Sequence, residues 1–142
     1  MEQLLEFAGN HTLLVGAFFA VAAALTWNLI ADPAGKFAVD PVGATDLINH
    51  EDALLLDVRS MAEHKDGHII NSINIPLNSL TNSLKTLEKH KTKTIIAYCR
   101  SGARSNTACK QLRKLGYENV LNLRGGIMAW ENSNLPVKRK KK

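Results

Sequence analysis

A nucleophile and two cations are concentrated in one short segment, Cys99-Arg100-Ser101-Gly102-Ala103-Arg104-Ser105. A cysteine does nucleophilic chemistry as its thiolate, and a thiolate needs electropositive surroundings. Arg100 and Arg104 supply part of that field. The flanking pattern supplies the rest. Thr94-Ile95-Ile96-Ala97-Tyr98 is an apolar, β-branched run that predicts a buried strand, and Ala108, Leu112 and Leu115 recur at the spacing of one helix face. A cysteine between a strand end and a helix start lies among free backbone N–H groups, at the positive end of the helix dipole. Those donors favour the anionic sulfur near neutral pH. A buried structural cysteine is the competing reading, and the adjacent arginines argue against it.

The elements that must hold this loop alternate along the chain. Residues 41–50 predict a short helix begun by Pro41, and Ala53 to Val58 a strand. Residues 71–75 read as a short extended piece stopped by Pro76. Leu77, Leu80, Leu84 and Leu87 fall at helical steps. Thr94 to Tyr98 is the central strand, and the helix after the loop runs to Leu115 and ends at Gly116. Val120 to Leu123 is a further strand, and Gly125-Gly126 opens the segment to Trp130. Strands separated by helices imply an α/β fold, a parallel sheet flanked by helices on both faces. In such sheets, sites lie beyond the strand carboxyl ends, where Cys99 falls.

The segment from Cys99 to Ser105 resembles the active-site loop of the rhodanese (sulfurtransferase) homology domain. Two further segments are similar to that family. Leu54-Leu55-Leu56-Asp57-Val58-Arg59, Glu63-His64, Gly67-His68-Ile69 and Asn74-Ile75-Pro76-Leu77 resemble its N-terminal signature. Leu123-Arg124-Gly125-Gly126-Ile127-Met128-Ala129-Trp130 resembles its C-terminal one. The resemblance covers about residues 37–136, with three motifs in order. It departs after Ile69, where the family often carries Pro-Gly-Ala and this chain reads Ile70-Asn71-Ser72.

Loop length separates two chemistries. Four residues lie between Cys99 and Arg104. Cysteine phosphatases use five, which makes a wider ring of N–H donors for a tetrahedral phosphate. The shorter loop suits a persulfide sulfur or a sulfite leaving group, and the resemblance implies the same division. The implied reaction has two halves: the Cys99 thiolate takes the outer sulfur of a donor, and an acceptor then removes it. The resemblance implies thiosulfate or a small persulfide as donor, and a thiol or cyanide as acceptor.

Within the loop, Arg104 is expected to close the turn and aid anion binding, or to form a salt bridge that shapes it. Arg100 is expected at the pocket mouth, selecting an anionic donor, or as a solvated surface residue. Gly102 supplies a backbone conformation that a side chain would block. Ser105 is expected to cap the following helix. Ser101 and Ala103 constrain ligands weakly. The resemblance places Asp57 and Arg59 near the loop, with a structural ion pair as their expected service.

His64 and His68 have the i,i+4 spacing of metal ligands, but Asp66-Gly67 interrupts a helix between them and no second Cys/His pair lies nearby. No metal and no cofactor are expected. Cys109, without a CxxC partner, reads as a buried apolar residue.

The N-terminus carries a separate signal. Between Glu6 and Asp32 lie 25 residues without a Lys, Arg, Asp or Glu. Residues 12–31, from Thr12 to Ala31, predict a helix of 20 residues, about 30 Å long, comparable to the hydrocarbon thickness of a bilayer. Glu2 and Glu6 replace the basic start of a cleavable signal, and Trp27 sits where an interfacial anchor is expected. A retained single-pass transmembrane helix in contact with membrane lipid is therefore expected in the inner (cytoplasmic) membrane. Lys36 and the basic domain after it favour the rhodanese-like domain facing the cytoplasm. Gly16, Ala20 and Ala24 line one face and suggest a membrane-protein partner.

The expected organisation is a short tail (1–11), the transmembrane helix (12–31), a linker (32–40), the rhodanese-like domain (41–136) and a basic tail (137–142). Net charge is +5, and Lys138-Arg139-Lys140-Lys141-Lys142 alone accounts for it. The remainder is formally neutral, which excludes a nucleic-acid-binding face. Two functions compete: sulfane-sulfur transfer through a Cys99 persulfide, and a membrane-anchored interaction module in which catalysis is secondary.

Overall fold

The computed structural model describes residues 3, 7, 9–30 and 33–141. The chain forms two compact units, Met1–Lys36 and Phe37–Lys142. In the first unit, helix α1 covers Thr12–Ile30 and a short turn, α2, covers Pro33–Lys36. Among the described residues, no helix is long and apolar enough to cross a membrane. This corrects the expected transmembrane helix over 12–31, with the lipid contact drawn from it, and the inner-membrane localisation. α1 has 19 residues and rises about 28 Å, slightly under the ~30 Å hydrocarbon layer. Ala31, the expected end of the span, lies outside the described residues. In the last turns of α1, Thr26 turns its hydroxyl back onto the Ala22 and Ala23 carbonyls.

The second unit is built on a parallel sheet of five strands in the order β1-β6-β5-β2-β4. These are β1 (Ala38–Val39), β2 (Leu54–Asp57), β4 (Ile73–Asn74), β5 (Ile95–Tyr98) and β6 (Val120–Leu123). Helix α3 spans Pro41–Glu51, α4 Met61–Asp66, α5 Leu84–Glu88, α6 Ala103–Lys114 and α7 Gly126–Asn132. Strand alternation builds the two faces. Leu56, Ile95, Ala97 and Cys99 point to one layer with Ala108, Cys109 and Leu112 of α6. Leu55, Ile96 and Tyr98 point to the other, with Ala44 of α3 and Ile127 and Trp130 of α7. Both faces of β5 are fully buried, which is why its sequence is a continuous apolar run rather than an alternating one. The α/β fold with helices on both faces of a parallel sheet is thus the observed one.

Several local features differ from expectation. The buried face of α6 is Ser105-Ala108-Cys109-Leu112, whereas Leu115 is 40% exposed. The leucine repeat at 77–87 is no single helix. It is two 3-10 turns, Leu77–Ser79 and Thr81–Ser83, followed by α5. Ser and Asn side chains compete for local hydrogen bonds there, as Ser79 Oγ does with Asn78 Oδ1 at 3.2 Å. The leucine period still serves packing, because Leu80 and Leu87 are buried.

Two segments outside the expected domain core join the fold. β1 pairs in parallel with β6 ahead of residue 41. Strand β7 (Val137–Arg139), inside the expected basic tail, pairs antiparallel with β3 (Gly67–Ile69). Arg139 reaches Glu131 of α7, and Trp130 Nε1 donates to the Pro136 carbonyl at 3.0 Å. At the Ile70-Asn71-Ser72 turn, Asn71 takes φ 63°, a left-handed conformation that asparagine tolerates. Ser72 Oγ donates to the Ile69 carbonyl at 2.7 Å and lies 2.8 Å from Tyr98 Oη.

Candidate active site

β5 ends at Tyr98, and the chain turns through Cys99-Arg100-Ser101-Gly102 before α6 begins at Ala103. The turn requires Gly102. Its φ of 101° is left-handed, and it stands as the N-cap of α6. Ser105 is therefore not the cap. It lies one turn inside, fully buried, and its hydroxyl faces the loop.

Cys99 is 1% exposed, and its Sγ accepts the Gly102 N–H at 3.1 Å. Ser105 Oγ lies 3.5 Å from the same sulfur. Burial pushes the Cys99 thiol up. The hydrogen bonds from Ser105 and from the backbone at Gly102 and Ser101 outweigh it, so the pKa lies below the ordinary cysteine value. Cys109 shows the contrast. It is buried on α6, where desolvation outweighs the lowering effects of Arg113 and of backbone hydrogen bonds, and burial pushes it up to about 12.

Asn122 of β6 braces the loop. Its Nδ2 donates to the Gly102 carbonyl at 3.1 Å, which fixes the amide orientation. Its Oδ1 then accepts the Ser105 hydroxyl at 2.6 Å. Ser105 carries one proton, so its bond to Asn122 competes with donation to Cys99. When the sulfur is anionic, charge favours rotation of that proton toward it.

A second brace comes from α7. Ile127 N–H donates to the Cys99 carbonyl at 2.9 Å and Met128 N–H to the Arg100 carbonyl at 3.3 Å. Gly126 makes this approach possible: a Cβ there would lie 2.5 Å from both carbonyl oxygens. The Gly125-Gly126 pair seen in the sequence is thus the docking point of α7 against the loop.

Arg104 interacts with Cys99 and is at the same time paired with a carboxylate. Its Nη1 and Nη2 each donate to Glu63 at 2.9 Å, a bidentate pair between residues 41 apart. Glu63 is itself fixed by a capping box. Its Oε2 accepts from Ser60 N and Oγ at 3.0 Å each, and Ser60 Oγ caps the Glu63 N–H. Arg104 holds the Glu63 carboxyl down at about 2 despite an opposing desolvation effect. Arg100, Ser101 and Ala103 are exposed. Arg104 also borders a groove of about 470 Å³ shared with Val58, Ser60, Pro76, Leu77, Asn78 and Gln111.

Asp57 and Arg59 form a buried ion pair. Arg59 Nη2 lies 2.7 Å from Asp57 Oδ2, and Arg59 Nε and N–H each donate to Oδ1 at 3.0 Å. His64 Nδ1 donates to Asp57 Oδ2 at 2.8 Å, since an ionised carboxylate only accepts. Burial raises the Asp57 carboxyl, but these donors outweigh it and hold it below the usual range. Arg59 also donates to the Gly67 carbonyl at 2.7 Å. The pair thus ties β2 to α4 and β3, and α4 carries Glu63. His64 and His68 stack with ring centroids 3.9 Å apart, and His68 Nδ1 donates to the His64 carbonyl at 2.8 Å. Among the described residues, no group of three or more His, Cys, Asp or Glu side chains could hold a metal ion.

The structure therefore brings Cys99, Gly102 and Ser105 together, places Arg104 beside the sulfur while pairing it with Glu63, and leaves Arg100 at the surface. Glu63 and Asn122 were given no role from sequence. Ser60-x-x-Glu63 is a readable capping signature, but no local pattern signals the cross-strand reach of Asn122.

Comparison with known proteins agrees with this geometry. Residues 41–133 match the model of the rhodanese-like domain family. The chain is 35% identical over 143 residues to the uncharacterized protein YibN of Escherichia coli (strain K12), covering 99% of this chain and 100% of that one. It is 43% identical over 91 residues to a sulfurtransferase of Allochromatium vinosum, covering 64% of this chain and 83% of that one. The crystal structure of a rhodanese-related protein from Thermoplasma volcanium superposes with a TM-score of 0.65 at 33% identity, over 72% of this chain and 98% of that one.

Proposed function

The chain belongs to the rhodanese-like domain family, and from that premise we propose that it transfers sulfane sulfur through a persulfide on Cys99. A role in sulfur transfer is supported in general by relatives that carry the name sulfurtransferase. The observation that carries the finer reading is the Gly102 N–H directed at Cys99 Sγ, 3.1 Å away, inside a loop that lowers the thiol pKa.

In the first half-reaction the Cys99 thiolate attacks the outer sulfur of the donor. With thiosulfate, a sulfur–sulfur bond forms at Cys99, the donor S–S bond breaks, and sulfite leaves with the bonding pair. With a persulfide R-S-SH, the new Cys99-S-SH forms and R-S⁻ leaves. In the second half an acceptor thiolate or cyanide attacks the outer sulfur and the Cys99 thiolate departs. Cys99, Gly102 and Ser105 act on the sulfur itself. The backbone donors hold negative charge that moves one atom outward in the persulfide, and α6 adds its dipole. Asn122 and the α7 amides fix the loop so that this stabilisation needs no rearrangement. Arg100, exposed at the loop, supplies attraction for an anionic donor. Asp57 and Arg59 act through the framework and do not touch the sulfur.

The intact mass of the full chain, measured after treatment with thiosulfate and separately with a small persulfide, tests this reading. A gain of one sulfur atom that cyanide removes, absent in Cys99→Ser, is expected with at least one donor. If the wild type gains sulfur from neither, the sulfur-transfer reading fails.

A further inference from the structure

Two observations concern the charge of the site rather than its nucleophile. Both η nitrogens of Arg104 are engaged by Glu63 at 2.9 Å. Glu63 is in turn held by the backbone N–H and hydroxyl of Ser60, so the carboxylate cannot swing away without breaking the cap of α4. The Arg104 charge is thus matched by an equal and opposite one, while Arg100 stands exposed in the loop with no ion pair among the described residues. The groove beside Arg104 presents Val58, Pro76, Leu77, Asn78 and Gln111, all uncharged.

Resting on the persulfide reading above, we propose that Glu63 determines donor selection: by neutralising Arg104 at the rim of the groove, it favours an organic hydropersulfide over dianionic thiosulfate. A hydropersulfide carries at most one charge on its reacting sulfurs, and its organic body has the uncharged groove to occupy. Thiosulfate brings two charges and no body. The Glu63 carboxylate repels the dianion more strongly than the monoanion, and it withholds the guanidinium fork that would bind the sulfonate oxygens. The carboxyl stays ionised at every pH where the thiolate forms, because Arg104 holds it at about 2. Glu63 is a positioning residue here, acting through Arg104 and through the local field.

The readout is the ratio of kcat/KM for thiosulfate to kcat/KM for the persulfide of N-acetylcysteine amide, measured on the full chain. The ratio cancels the amount of folded protein, so a partly unstable variant remains informative. Glu63→Gln is expected to raise the ratio about tenfold at low salt, because the charge that neutralises Arg104 beside the loop is removed. The rise should shrink as ionic strength increases. Glu63→Asp, which keeps the charge, is expected to leave the ratio within about twofold of wild type even if both rates fall. An unchanged or lower ratio in Glu63→Gln overturns the proposal, as does a rise in Glu63→Asp equal to that in Glu63→Gln. Failure of the underlying reading is separate and visible: the wild type would then take up no sulfur at Cys99 from either donor.

Discussion

The side-chain amide of Asn122 donates to the Gly102 carbonyl at 3.1 Å while its oxygen accepts the Ser105 hydroxyl at 2.6 Å. One side chain from β6 thereby holds both the left-handed residue that opens α6 and the hydroxyl nearest the Cys99 sulfur. Asn122→Ala removes both restraints. A net hydrogen bond is worth about 1 kcal/mol, so the loop should lose roughly that much order; because the Ser105 proton already turns toward the anionic sulfur, the loss falls on the aim of the Gly102 N–H and the thiol pKa should rise. Alkylation of Cys99 at neutral pH should slow several-fold, with the rate plateau at high pH unchanged. An unshifted pH profile would show that Asn122 has no hold on the thiolate.

The two cysteines should titrate far apart. Burial raises Cys99, but the donors from Ser105, Gly102 and Ser101 outweigh it, whereas desolvation leaves Cys109 pushed up to about 12. A lowered pKa means that the thiolate fraction rises at lower pH than for an ordinary cysteine. In the folded chain, iodoacetamide should modify Cys99 with a midpoint below that of a free cysteine, and Cys109 should stay unmodified. Peptide mapping across a pH series checks both. Equal labelling of the two would contradict the environments described.

Much of this site is legible in the sequence because its determinants are local. The apolar run of β5, the break at Cys99-Arg100-Ser101-Gly102 and the period of α6 lie within one stretch, and Gly125-Gly126 marks the opening of α7. What escapes is of three kinds. Strands of two or three residues, such as β1, β3 and β7, are too short to show periodicity, so the pairing of Val137–Arg139 with β3 is hidden in what reads as a basic tail. Partnerships across the fold leave no local trace: the salt bridge that the sequence allows for Arg104 has no readable partner, because Glu63 lies 41 residues away. Ser105 reads as a cap from its residue type, but Gly102 takes that position with its positive φ. The apolar N-terminal run predicts a helix correctly, yet among the described residues no helix is long and apolar enough to cross a membrane.

Acid should weaken the Glu63–Arg104 pair in a defined window. The folded-state pKa of Glu63 lies at about 2, below its ordinary 4.5. A depressed carboxylate pKa contributes stability that is fully present above 4.5 and is lost as pH falls toward 2. Both side chains are about a third or more exposed, so solvent screening keeps the contribution to about 1 kcal/mol or less. Melting temperatures of wild type and Glu63→Gln should differ by a few degrees near pH 6 and converge as pH falls from 4.5 to 2.5. A gap that stays constant over that range would assign the loss to the cap geometry rather than to the charge.

Gly126 is the position where the loop tolerates least. Its φ is 61°, and a Cβ would stand 2.5 Å from the carbonyl oxygens of both Cys99 and Arg100. Neither obstacle can yield cheaply, because both carbonyls belong to backbone that accepts the Ile127 and Met128 N–H groups. Gly126→Ala must therefore strain the turn or push α7 off the loop, and left-handed strain alone costs about 1–3 kcal/mol. Moving α7 would also loosen Ile127 and Trp130 from the face that Tyr98 and Leu123 complete. The variant should melt several degrees below wild type, and Cys99 alkylation at neutral pH should slow even at temperatures where the chain remains folded. Gly125→Ala supplies a control: its Cβ would meet the Ala129 side chain, at 2.6 Å, rather than the loop carbonyls. It should therefore lower stability while leaving the Cys99 pH profile close to wild type. If the two variants shift that profile equally, α7 positions the loop through the whole turn and not through the contact at Gly126.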